Sequence, residues 1–243
     1  RPKQTKSYQD FRSPTKRITR GEKMNKHIFL TLCIFAVTLM AATAATAQRP
    51  VRNPVLSYID VRGGTCSTTD AGVGVITAAT PQGALLFNRT FVGQPNPNFC
   101  TPVLNPDGSQ MTLGQFSQVS GRATVSCISE GTFSFLSFTG LRPNGVYSIW
   151  IMNPNPSPGP PVGVGSLGRR ALGENTFLAD DRGRGGVSAT TPEQNLSMFG
   201  HVGPCLFNAP FLLTLVYHSD GLTHGADPGL PETAVENVVF IYQ

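Results

Sequence analysis

From residue 55 onward the chain repeats one pattern. Runs of four to nine residues alternate apolar with polar side chains, and each run is closed by Gly, Pro, Asn or Ser. A period of two puts one face of an extended segment on a core, and the closing residues supply tight turns. That spacing belongs to all-β sandwiches and barrels. It excludes helical bundles and coiled coils, which need long stretches of Ala, Glu, Lys and Leu. With 40% hydrophobic residues and a net charge of only +5, wholesale disorder is excluded as well. Strands are predicted over 55–61, 72–78, 84–92, 123–128, 132–138, 146–152, 176–179, 186–189, 211–218 and 237–242.

Two runs are the most informative. In 132–138, Phe133 and Phe135, together with Leu136 and Phe138, alternate imperfectly with Ser134 and Ser137. This imperfect alternation predicts one buried face and a bulge. The run 211–218 carries Leu213, Leu215 and Tyr217 on one side and Leu212, Val216 and His218 on the other. A strand apolar on both faces is expected at the centre of a sheet, covered twice. The segments 153–161 and 95–107 are rich in proline, which cannot donate to a ladder, and are expected to leave the sheets as long loops. A helical period is absent except for one turn near 193–199.

The N-terminal end has a different character. Residues 1–23 hold eight basic and two acidic side chains with no apolar period. They are expected to be a disordered leader outside the mature protein; a basic arm for nucleic acid is the competing reading. Met24 then opens a short basic stretch, the apolar run 28–41 and the small-residue site Ala45-Thr46-Ala47. This is the layout of a secretory signal peptide over 24–47, with Gln48 as the first mature residue. The run is shorter than the roughly twenty apolar residues of a membrane span. The competing reading is an uncleaved anchor. Leu32 precedes Cys33 where a lipoprotein needs a small residue. Residues 48–243 are then expected to form a single domain of ten Arg, no Lys and twelve acidic residues, formally −2. No basic footprint for nucleic acid remains on it. The expected location is the periplasm, the cell surface or the medium, with no membrane span after cleavage.

Four cysteines remain after cleavage: Cys66, Cys100, Cys127 and Cys205. An even number in an exported chain points to two disulfides with three connectivities, of which nearest-neighbour pairing favours Cys66–Cys100 and Cys127–Cys205. Their spacings match no zinc pattern.

The stretch Gly140-Leu141-Arg142-Pro143-Asn144-Gly145-Val146-Tyr147 resembles the tyrosine corner of fibronectin type III and related sandwiches. The resemblance covers eight residues. It implies an antiparallel Greek-key β-sandwich, immunoglobulin- or fibronectin-like with long Pro-rich loops, in which Leu141, Pro143 and Tyr147 anchor a corner. Trp150 would then continue that strand into the core. The chain also resembles secreted bacterial β-sandwich proteins of uncharacterised family, through Asn-Thr-Phe-Leu-Ala-Asp at 175–180 and Tyr-His-Ser-Asp-Gly at 217–221. No catalytic residue follows from either likeness.

The densest group of chemically able side chains is His201, His218, Asp220, His224 and Asp227. Imidazole nitrogens with a carboxylate oxygen make a donor set for zinc or copper. The competing reading has Ser219, Asp220 and Thr223 capping a tight turn, with His218 a satisfied strand residue. Asp180 and Asp181, before a glycine-rich turn, offer oxygens for calcium, but Arg182 and Arg184 favour a plain hairpin. Among Glu130, Glu174, Glu193, Glu232 and Glu236, paired carboxylates for glycoside cleavage would need a spatial meeting. The sequons at Asn88 and Asn195 carry little weight, because the short apolar leader suggests a bacterial export route. G-x-S-x-G and Ser-x-x-Lys are both missing from residues 48–243. The expectation is therefore a binding or structural module, not an enzyme. It would recognise an unknown extracellular or cell-surface ligand through loops at one end, with a Zn or Cu site as the alternative.

Overall fold

The computed structural model describes residues 48–52, 54–57, 61–64, 74–88, 101–154, 163–197, 203, 205–230 and 232–242. The hairpin of β5 (Ser120–Ile128) and β6 (Gly131–Thr139) shows how the alternating pattern is used. Its strands pair from Ser120 opposite Thr139 to Ile128 opposite Gly131 without a break. Gly131 is required there: its φ is +140°, and a Cβ would stand 2.2 Å from the Thr191 carbonyl oxygen. Thr132, Ser134, Leu136 and Phe138 are buried, whereas Phe133 and Phe135 are 37% and 39% exposed. One face of β6 is therefore buried, as expected, but it is the face of Leu136 and Phe138 and not that of Phe133 and Phe135, and β6 has no bulge. Register explains it, because Leu136 lies opposite Ala123, and Ala123 and Val125 are fully buried. The Arg122 guanidinium covers part of Phe135, 5.8 Å from the ring centre.

β5 and β6 are the middle of a four-stranded antiparallel sheet, ordered β1 (Gln48–Arg52), β5, β6, β10 (Gly185–Thr191). The second sheet runs β2 (Val55–Leu56), β12 (Ala234–Tyr242), β11 (Phe211–His218), β7 (Val146–Asn153), β8 (Gly163–Ser166), with β9 (Thr176–Leu178) also on β7. A small third sheet pairs β3 (Val61–Gly63) with β4 (Leu86–Asn88). The molecule is an all-β sandwich, as the alternation predicts.

The two large sheets meet through aromatic rings. Phe138 of β6 lies 5.8 Å from Phe240 of β12 and 5.9 Å from Phe177 of β9. Tyr147 continues the row to Phe177 at 5.6 Å and to Tyr217 at 5.2 Å. Each buried ring contributes about 1.5–3 kcal/mol through its area, and a well-placed pair about 0.5–1.5 kcal/mol more. β11 is central and buried almost throughout, as its two apolar faces predict. A bulge does occur, but in β12: Leu215 pairs with Val238 and Val216 with Glu236, leaving Asn237 as the extra residue.

Other expectations shift as well. Within the predicted strand 72–78, the described residues 74–78 form no strand, because the Thr80 N–H bonds back to the Thr77 carbonyl in a turn. The run 55–61 divides into β2 and the start of β3. β1 and β8 were not predicted. Two short helices cap loops: α1 (Leu113–Phe116), closed by the Thr112/Gln115 capping box, and α2 (Glu193–Ser197) within the expected turn. Among the described residues no helix is long and apolar enough to cross a membrane. Cys127, near the end of β5, and Cys205, ahead of β11, form a disulfide with Cα atoms 5.3 Å apart. Cys66 and Cys100 lie outside the described residues.

At the corner before β7, the Arg142 N–H donates to the Tyr147 hydroxyl at 2.8 Å, and Leu141 and Tyr147 are buried. Gly140 permits the turn, since its φ is +74° and a Cβ would meet the Gln118 carbonyl oxygen at 2.1 Å. Burial pushes the Tyr147 hydroxyl well above its usual pKa. Tyr147→Phe keeps the ring and strands the Arg142 N–H. It is expected to lower stability by about 1–2 kcal/mol, read as a lower urea midpoint with unchanged slope. An unchanged midpoint would show that the hydrogen bond contributes nothing net.

Candidate metal centre

The site begins with the register of the second sheet. β11 turns Phe211, Leu213, Leu215 and Tyr217 toward the core, so Thr214, Val216 and His218 share the opposite face. β7 lies alongside, pairing Thr214 with Trp150, Val216 with Ser148 and His218 with Val146. Trp150, Ser148, Val216 and His218 are all buried there. The indole Nε1–H of Trp150 donates to Ser148 Oγ at 2.8 Å, and Ser148 Oγ lies 2.7 Å from His218 Nε2. Only Nδ1 of the His218 ring is left, and it is buried without a hydrogen-bond partner. A buried unpaired polar atom costs about 1–3 kcal/mol. His218 Nδ1 shares that state with others, Ser134 Oγ and Ser166 Oγ among them, and is set apart by the metal-ligating groups of Asp220 and His224 beside it.

Past His218 the chain turns. The Gly221 N–H bonds to the His218 carbonyl, with Gly221 at φ +70°, and Asp220 Oδ1 accepts from the Leu222 N–H at 3.0 Å. The loop then brings His224 back, its Nε2 2.9 Å from Asp220 Oδ2 and its ring centre 5.4 Å from that of His218. The Thr233 hydroxyl donates to the same Asp220 oxygen at 3.0 Å. One ligand atom each from His218, Asp220 and His224 fall within 4.8 Å of one another. Bonds of about 2.0–2.2 Å to a tetrahedral ion set such atoms about 3.4 Å apart. Closing onto an ion takes shifts of up to about 1.4 Å, which fall to Asp220 and His224 on the glycine-bearing loop.

Electrostatics prepares the groups for that role. Burial, with His224 adding to it and Asp220 opposing, lowers the His218 pKa to about 4, so the ring is neutral near pH 7. A neutral imidazole is the ligating form. Burial works against ionising Asp220. Hydrogen bonds from Leu222, His224 and Thr233 outweigh it and hold the carboxyl below its ordinary pKa. The result is a two-nitrogen, one-carboxylate donor set, the kind that suits first-row divalent ions.

Of the five residues named from the sequence, the structure brings three together. Asp227 stands apart, exposed and accepting from the Gly229 N–H at 2.9 Å. His201 lies outside the described residues. Ser148 and Trp150 were missed, although both sit at alternate positions of a predicted strand. At 180–186 the chain turns tightly, with Asp180 Oδ1 accepting from the N–H groups of Arg182 and Arg184 at 2.9 and 2.7 Å. The expected hairpin does not form, because β9 pairs with β7 and β10 with β6 in the other sheet. Glu174 faces Arg169 at 3.9 Å, and Glu236 accepts from the Ser57 hydroxyl, so these two serve different surroundings. Comparison with family models, with curated proteins and with solved structures finds no match to this chain.

Proposed function

We propose that this chain is an exported β-sandwich protein that holds one divalent zinc or copper ion between His218, Asp220 and His224. The signal-like segment 24–47 and the Cys127–Cys205 disulfide support export. The single observation carrying the metal reading is the buried, unpartnered His218 Nδ1 beside two further donors. The ion orders the loop between β11 and β12, and loops of that kind are where an extracellular or cell-surface ligand would be recognised.

The chain has one tryptophan, and Trp150 is two hydrogen bonds from the ring that would bind the ion. EDTA-stripped protein starting at Gln48 is expected to take up one equivalent of Zn²⁺ at micromolar concentration. Cu²⁺ is expected to quench the Trp150 emission at the same stoichiometry. At a hundred times its dissociation constant, the ion would add about 2.7 kcal/mol to stability. A folded His218→Ala, His224→Ala variant should lose both responses. No uptake by the unaltered protein, or equal uptake by the variant, would refute the site.

A further inference from the structure

The arrangement behind His218 points to a residue that decides how the ion is held. We propose that Ser148 is the positioning residue of this centre: pinned by Trp150, it holds His218 through Nε2 and leaves Nδ1 as the ligating atom. This rests on the metal reading above and adds the atom, the tautomer and the residue that sets them.

An indole N–H can only donate, so Trp150 occupies one lone pair of Ser148 Oγ. The hydroxyl keeps a second lone pair and its own proton, and both are within reach of His218 Nε2 at 2.7 Å. Two states of the ion-free ring are then compatible with the geometry. In one, the serine proton points at Nε2 and the ring proton sits on Nδ1. In the other, Nε2–H donates to Oγ and Nδ1 carries the bare lone pair. Either way Nδ1 has no protein partner. Only the second state can bind a cation through Nδ1. From the first state, loading the site moves the ring proton from Nδ1 to Nε2 while the serine hydroxyl rotates away; from the second, it moves no proton. The ring keeps one proton throughout, so His218 releases none.

Outer groups that hold the second nitrogen of a ligating histidine orient the ring and set its tautomer. Here that partner is also buried and held by the Trp150 indole. Ser148 and His218 are each about 1% exposed, on neighbouring strands. The fixed ring is the reference against which Asp220 and His224 close.

Ser148→Ala removes the acceptor while keeping the strand. It is expected to weaken Zn²⁺ affinity, measured by competition with a chromophoric chelator, about 10–100-fold. Ser148→Thr, which keeps a hydroxyl, should recover most of that loss. Long-range ¹⁵N–¹H spectra of Zn-loaded, unaltered protein should show His218 protonated at Nε2 and metal-bound at Nδ1. That spectrum needs no variant, so it decides the matter even if Ser148→Ala fails to fold. Metal found on Nε2, or unchanged affinity in a folded Ser148→Ala protein, would overturn the role of Ser148. Failure of the unaltered protein to bind Zn²⁺ would instead remove the site itself.

Discussion

Replacing Cys127 and Cys205 together by alanine is expected to lower the unfolding free energy by about 4 kcal/mol. The size comes from loop length. The cysteines are 78 residues apart, and chain-entropy arguments give about 4.5 kcal/mol for closing a loop of that length. The bridge ties β5 of the four-stranded sheet to the segment that leads into β11 of the other. Two further contacts survive its loss. The Leu206 N–H still donates to Thr132 Oγ1 at 3.0 Å, and Phe207 still packs 5.7 Å from Phe211. The native fold should therefore persist with a lower urea midpoint. With a slope of about 2 kcal/mol/M, the shift is about 2 M. The double variant isolates this bridge in a way that a reductant, acting on every disulfide, does not. A shift below about 0.5 M would mean that the unfolded chain is already held compact by other means.

The ion-free protein is also expected to lose up to about 3 kcal/mol of stability from His218 as pH falls from about 6.5 to 4. Burial keeps the folded ring neutral down to about pH 4. The unfolded ring takes its proton near pH 6.5. Between those values the unfolded state binds more protons, so stability rises with pH; above the window both states are neutral and the contribution is flat. His218→Gln, a neutral side chain of similar size, should remove this slope. Urea unfolding of EDTA-treated protein at several pH values, unaltered against His218→Gln, isolates the effect from that of the carboxylates. Parallel curves across the window would mean that the folded ring accepts its proton as readily as a free one.

Much of this architecture was legible in local pattern. Alternation identified β5, β6, β7 and β11 within a few residues of their ends. The two apolar faces of 211–218 announced a central strand. Asp220 and Gly221 announced the turn that carries the site. The corner at 140–147 was readable because all of its parts lie within eight residues. β1 and β8 were not readable: Gln-Arg-Pro-Val-Arg and Gly-Val-Gly-Ser have weak strand character alone and become strands by pairing with β5 and β7. In β12 the extra Asn237 interrupts the alternation, so only the part beyond it reads as a strand.

The amino-acid order by itself determined that Phe133 and Phe135 share one face of β6, and that His218, Asp220 and His224 are near one another along the chain. Tertiary structure decided which face of β6 meets the core. It also set Ser148 against a histidine seventy positions away, leaving one ring nitrogen without a protein partner. The reason is one of range. Turn and strand preferences are set by neighbouring side chains. Register between distant strands is set by the burial of the whole inner surface, which no single segment carries.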